Sequence, residues 1–287
     1  MNFIHNDALV SSEELSFSYS NRAFQYGDGL FETMMYSNGE ILFFEDHYFR
    51  LMGSMRFLRF EIPMSWTPEF LEEKCKELIQ ANLWANTHVR LKLMVYRSSG
   101  GRYTPESNKP EYVISGEPSS IAPYPVYNSG LVLDTFQYHH KPSGRLSNLK
   151  TIGSAIYTLA GIFAQENDLD EAILINEKGN LVEASSSNLF LIQGNKLITP
   201  PLESGCLKGV FRKNLLDRAK DIGLEPIEKD IKPFDLIKSD DVLLTNMAKG
   251  IQWVSGYKKK SFTGEKAREI TEAFYELINS KEGQTEH

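Results

Sequence analysis

The chain has 287 residues, 41% of them hydrophobic and 24% charged, with 31 lysines and arginines against 38 aspartates and glutamates for a formal net charge of -7. That length suffices for two hydrophobic cores, and the composition excludes a disordered or fibrous chain. The acidic balance argues against a nucleic-acid partner, since the one basic run, Lys258-Lys259-Lys260 between Gly256 and Gly264, reads as a solvated hairpin turn.

Gly27-Asp28-Gly29 marks a turn between aromatic-rich segments and Ser37-Asn38-Gly39-Glu40 divides two β-like runs, so the opening reads as a β meander. From Glu45 onward Leu51, Met55 and Leu58 recur at helical spacing, with Arg50 near the start. Thr67-Pro68 is a cap and first-turn pair for a second helix whose apolar stripe is Phe70, Leu71, Cys75, Leu78 and Ile79. Val89, Leu91, Leu93 and Val95 then alternate with Arg90, Lys92, Met94 and Tyr96, the period of a strand, which runs into a loop carrying Arg97 and Arg102. After a strand at Tyr112–Ser115, the Pro- and Ser-rich run Glu117–Pro125 predicts a linker. The expected division is therefore an N-terminal α/β domain over 1–116, the linker 117–125 and a C-terminal domain over 126–287. In that second part strands are expected at 131–136, 172–175, 189–192 and 242–244, helices at 152–164, 210–222 and 266–278, and a polar frayed tail after Ser280.

No segment approaches the ~18 apolar residues that span a bilayer, and the opening MNFIHNDALVSSEEL lacks a signal-peptide pattern. Cys75 and Cys206 form no C-x-x-C pair and have no histidine cluster beside them, and His139-His140 lack partners at ligand spacing. The chain is thus expected to be cytoplasmic, without a membrane span and without a metal.

One stretch is chemically odd. In GNLVEASSSNLFLI, Glu183 stands between two apolar runs where a carboxylate is buried, and a buried charge without a partner costs several kcal/mol. Something cationic must face it. Lys150, where an irregular segment gives way to an apolar helix, is one nearby candidate; a plain surface lysine is the alternative.

Taken together, YGDGLFET, HYFRLMGSMRFL, the LK before the helix, DEAILINEKGNLVEASSSNLF and GCLKGVFRKNLL resemble the class-IV aminotransferase family from about Arg22 to Ile278. The resemblance implies a two-domain α/β (α+β) enzyme of fold type IV, with a smaller N-terminal α/β domain and a larger C-terminal pseudo-barrel domain. It also implies the cofactor pyridoxal 5'-phosphate and a homodimer. Lys150 matches the lysine that tethers the cofactor's aldehyde and Glu183 the glutamate at its pyridine nitrogen, so the ring would be the cation Glu183 requires. Once freed, Lys150 would take the substrate α-proton, a task needing a lysine less basic than the ordinary ~10.4. Arg50 matches the phosphate arginine, and Gly209, Val210 and Phe211 the helix start whose N–H groups face the phosphate. Where relatives often carry hydroxyl residues this chain has Phe211 and Met247, so the resemblance leaves a phosphate grip built on backbone and Arg50.

Among the family's reactions, Thr33, Arg102 and Asn246 look more like 4-amino-4-deoxychorismate lyase, a folate-pathway enzyme, than like the D-amino-acid or branched-chain aminotransferases. On that reading the substrate is aminodeoxychorismate, Thr33 relays a proton, and Arg102, Asn246 and Phe31 contact the substrate. Two departures stand against it: Gly153 where an asparagine is frequent, and Phe31 where some D-amino-acid enzymes have tyrosine. An aminotransferase acting on D- or branched-chain amino acids is the alternative, and a non-catalytic cofactor-binding module a remote one.

Overall fold

A computed structural model describes residues 1–280; the tail expected to fray after Ser280 lies outside the described residues. The chain divides into two units, Met1–Pro123 with Leu149–Ser154, and Tyr124–Asn148 with the chain from Ala155 onward.

The first unit contains β1 (Asn2–His5), β2 (Ala8–Ser11), α1 (Arg22–Tyr26), β3 (Gly29–Ser37), β4 (Glu40–Ile41), α2 (Phe44–Phe57), α3 (Pro68–Ala81), β5 (His88–Arg97) and β6 (Pro110–Ser119). Its six strands form one antiparallel sheet in the order β2-β1-β6-β5-β3-β4. The meander reading is therefore corrected. Asn21 caps α1 by accepting from the N–H groups of Ala23 and Phe24, and β3 pairs with β5 and β4 rather than with the opening hairpin. Because strand side chains alternate, Leu30 and Met34 of β3 and Leu91 and Leu93 of β5 join Leu51, Met55, Leu71, Cys75 and Leu78 of α2 and α3 in one core. Phe31, Thr33 and Lys92 stand on the other face of the sheet.

The second unit contains β7 (Leu131–Lys141), α4 (Ala155–Glu166), β8 (Glu171–Asn176), β9 (Leu181–Ala184), β10 (Asn188–Gln193), β11 (Lys196–Thr199), α5 (Val210–Asp217), β12 (Glu225–Glu228), α6 (Pro233–Lys238), β13 (Asp241–Asn246), β14 (Gly250–Tyr257), β15 (Lys260–Ser261) and α7 (Glu265–Asn279). Strands run β10-β13-β14-β7-β8-β9, and β9 pairs back onto β10, which closes a six-stranded barrel. The two-domain α/β architecture with a barrel in its larger part is the one expected. Leu133, Ile173, Leu189, Leu191, Val242, Leu244 and Val254 fill the barrel, while α4 covers Phe136, Ala172 and Leu174 on its outside. The parallel pair β7–β8 needs a crossover, and α4 supplies it.

Two helix expectations shift. The helix predicted from Ile152 starts only at Ala155, because Leu149–Ser154 lies extended beside β3, with Phe31 N–H donating to Lys150 O and Ile152 N–H to Gly29 O. The helix predicted over 210–222 stops at Asp217 and resumes as a single 3-10 turn, Ala219–Ile222, ended by Gly223 at φ 76°.

Candidate active site

In the first unit the extended segment beside β3 carries Lys150 onto the face opposite α2. Its Nζ lies 4.2 Å from the centre of the Phe31 ring, and Lys92 Nζ lies 5.0 Å from the same centre. Thr33, buried two residues further along β3, faces Lys92 directly across to β5. Lys150, Phe31 and Thr33 are thus neighbours. Arg102 is not fixed by its own side chain, which is exposed; its carbonyl accepts from Arg22 Nη1 at 2.6 Å. Arg22 in turn is held by Asp28 at 2.8 Å, and Arg97 shares that carboxylate.

Arg50 projects from α2 onto the opposite side of β3, where its guanidinium forks around Glu32: Nε donates to Oε1 at 2.8 Å and Nη2 to Oε2. His47, one turn earlier, reaches the same Oε2 at 2.7 Å. Burial raises the pKa of Glu32, but the charge of Arg50 and the hydrogen bonds from His47 and Arg50 outweigh it and bring the group to about 2. Burial drives His47 the other way, below its ordinary value, and so favours neutral imidazole.

The second unit answers the question Glu183 poses, and not with Lys150. Glu183 is 2% exposed, and its in-chain cation is Lys141, at the end of β7. Tyr157 of α4 completes the group, accepting from Lys141 Nζ at 2.6 Å and donating to Glu183 Oε1 at 2.8 Å. Burial first, then the Glu183 charge, raises the Tyr157 pKa, which keeps the phenol protonated as a donor. The other oxygen, Oε2, accepts from Leu207 N–H at 2.8 Å and, at 3.4 Å, from Asn188 Nδ2. The three serines after Ala184 are also explained: Glu171 accepts from the hydroxyls of Ser185, Ser186 and Ser187 and from Ser186 N–H, fixing the turn that returns the chain to β10.

Glu183 pairs with Asn188, and Asn188 with Thr245, so three residues form one row across β9, β10 and β13 on the outside of the barrel. At strand spacing the row is roughly 10 Å long. Beside it lies the start of α5. Gly209 is buried there, a Cβ on it would collide with the Asn188 amide oxygen, and no side chain caps the helix. The Thr245 hydroxyl, in a residue 2% exposed, has no hydrogen-bond partner. An uncapped buried helix start with an unused hydroxyl fits a phosphate, and a carboxylate at the other end of the row fits a ring N–H. The Phe211 ring packs on Tyr124 and Phe274, so at this residue only the main chain remains for an anion. Met247 Sδ faces the Tyr124 hydroxyl at 3.8 Å. Asn246 uses its amide on the backbone, donating to Ser186 O at 2.5 Å and accepting from Ala248 N–H at 2.7 Å.

Sequence reading missed Lys141, Tyr157, Glu32 and Thr245. Lys141 and Tyr157 had a faint signal, a lysine before Pro142 and a tyrosine in an otherwise apolar helix; Thr245 adjoins Asn246, itself a candidate from the sequence.

A family model described as amino-transferase class IV matches residues 29–257. A relative in Methanocaldococcus jannaschii, provisionally named a branched-chain-amino-acid aminotransferase, is 27% identical over 274 residues, 94% of this chain and 93% of its own. A branched-chain amino acid aminotransferase of T.th., solved with N-(5'-phosphopyridoxyl)-L-glutamate, superposes with a TM-score of 0.87 at 25% identity, covering 99% of this chain and 96% of that one. A Legionella pneumophila structure provisionally described as a 4-amino-4-deoxychorismate lyase reaches 0.80 at 23% identity over 93% and 96%, a likeness of fold alone. These findings correct the preference for that lyase: the curated relatives carry the branched-chain aminotransferase name, and so do the structures of higher TM-score. Thr33, Arg102 and Asn246, the residues behind that preference, are each explained locally, by a buried strand position, a clamped loop and a backbone-bonded amide. No helix among the described residues is long and apolar enough to cross a membrane.

Proposed function

From the membership of this chain in the class-IV aminotransferase family, we propose that it transfers the amino group of branched-chain amino acids to a 2-oxo acid. It is an enzyme of a pyridoxal-phosphate family, and pyridoxal 5'-phosphate is its cofactor. The observation that carries the reading is the row from Glu183 to Thr245 beside the open start of α5, which offers a carboxylate at one end and anion-binding groups at the other.

When bound, the cofactor supplies an acceptor for the electron pair released at the substrate α-carbon. Glu183 would hold the proton on the ring nitrogen, and Lys141, Tyr157 and Leu207 N–H fix the position of that carboxylate. Lys150 would hold the cofactor at its aldehyde, and its amine would move the proton at the substrate α-carbon. The N–H groups of Val210 and Phe211 would hold the phosphate, and the family resemblance adds the guanidinium of Arg50, which Glu32 and His47 fix. Phe31 supplies an apolar wall for an aliphatic side chain. The names of the relatives support the branched-chain substrate.

The same reading includes a homodimer. Helix α4, AIYTLAGIFAQE, is apolar on more than one face, and Leu159 and Ile162 are exposed at 42% and 46%. Such a helix normally has both faces covered. A cytoplasmic location fits the two free cysteines.

The test supplies leucine, isoleucine or valine with 2-oxoglutarate and, separately, D-alanine. Rapid exchange with the branched-chain amino acids is expected, lowered by at least about 100-fold in Lys150→Ala and in Glu183→Gln. Exchange confined to D-alanine, or undiminished in Lys150→Ala, would overturn it.

A further inference from the structure

The phosphate end of the row has two hydroxyls that no role yet uses. Thr245 Oγ1 is buried without a partner, on the strand face that Asn188 shares and against which α5 begins. A buried hydroxyl left unsatisfied costs about as much as a lost hydrogen bond, so its presence calls for an acceptor. Tyr124 Oη has only the thioether of Met247, a weak acceptor, at 3.8 Å. Its ring meets the Phe211 ring edge-on, with centres 5.1 Å apart, and burial keeps its pKa well above the ordinary value, so it remains a donor. Tyr124 therefore touches both residues, Phe211 and Met247, whose side chains offer an anion no hydroxyl.

We propose that Thr245 and Tyr124 donate their hydroxyls to the phosphate monoester at the start of α5, replacing the donors that Phe211 and Met247 do not supply. This rests on the cofactor reading above and assigns to it two residues outside the sequence motifs that carry the family resemblance. The anion is a dianion when bound near neutral pH. Backbone N–H groups of α5 meet it on one side, Thr245 from β13 on another, and Tyr124 over Met247. Each hydroxyl acts through its proton alone, so removing that oxygen while keeping the shape isolates its contribution.

The experiment titrates the full chain, freed of cofactor, with pyridoxal phosphate and with pyridoxal, which lacks the phosphate, following the visible absorbance of bound ligand. Thr245→Val and Tyr124→Phe are each expected to weaken pyridoxal phosphate binding about tenfold, and the double variant more, with pyridoxal affinity unchanged. Thr245→Ser should restore tight binding. Equal weakening toward both ligands, or no weakening in either variant, would overturn the assignment while leaving the enzyme reading intact. Failure of the unaltered protein to bind pyridoxal phosphate would end both. Circular dichroism of each variant separates a lost hydroxyl from a lost fold.

Discussion

Glu32 and Glu183 are equally buried, each 2% exposed, and each has a cation in contact, yet their surroundings differ. Glu32 is served by one helix. His47 and Arg50, three residues apart on α2, close around both of its oxygens, under the helix-covered face of the sheet. Glu183 is served by four separate segments: Lys141 ends β7, Tyr157 sits on α4, Asn188 starts β10 and Leu207 precedes α5. The same burial thus marks a local brace in one unit and, in the other, the end of a row that leads to an unsatisfied hydroxyl and an uncapped helix. What separates them is how the partners are supplied, by two residues of one helix at Glu32 and by four segments distant in the chain at Glu183.

The largest effect that tests this contrast comes from breaking each pair in turn. Lys141→Met removes the cation in contact with Glu183 and Glu32→Gln removes the carboxylate that Arg50 forks around, so each should cost about 3–5 kcal/mol of stability in urea melts. Pyridoxal phosphate should then separate them. In Lys141→Met the ring nitrogen brings Glu183 a new cationic partner, so the stabilisation on adding cofactor should exceed that of the unaltered protein. In Glu32→Gln it should not, since Arg50 loses the carboxylate that aims it and the cofactor restores no such brace. Equal excess gain in both would erase the distinction between a bracing carboxylate and one that meets the cofactor.

The parts legible in the sequence follow the same division. Alternation along Val89–Val95 and the Thr67-Pro68 start of α3 need only local periodicity and turn chemistry, and these two elements formed as read. Glu183 was conspicuous because a charge interrupted an apolar run. Its partner was not, since Lys141 is 42 residues away and is brought to it by parallel pairing of β7 with β8, which no local pattern encodes. Leu149–Ser154 misled for a related reason: Ile152 fits the helical stripe, but hydrogen bonds to β3 outweigh that preference and hold the segment extended. The choice among reactions failed on Thr33, Arg102 and Asn246, isolated residues whose spatial partners were invisible.

A smaller effect is the acid limb of stability. The folded pKa of Glu32, about 2, is depressed below the 4.5 of an ordinary glutamate, so its contribution is complete above about pH 4.5 and is lost as pH falls toward 2. His47 adds in the same direction, since burial lowers its pKa and the unfolded chain takes up that proton first, from about pH 6.5 downward. Urea melts at stepped pH should show Glu32→Gln with a flatter acid limb below about pH 4.5. An unchanged slope would mean that the brace in the first unit is not what acid breaks.

The smallest effect needs no stability change at all, because each unit holds one buried thiol. Burial pushes Cys75 and Cys206 up to about 12, and since the thiolate is the reactive form, alkylation at mildly alkaline pH has to wait for local opening. Cys75 lies in the core of the first unit on α3. Cys206 immediately precedes Leu207, whose N–H is bound to Glu183. Pyridoxal phosphate, by settling onto Glu183 and the start of α5, should slow labelling of Cys206 a few-fold while leaving Cys75 at its own rate. Mass spectrometry of partly labelled protein reads both thiols in one sample. Equal protection of the two would show that cofactor stabilises the units together, and the contrast between a braced carboxylate and a working one would then have to rest on the mutants alone.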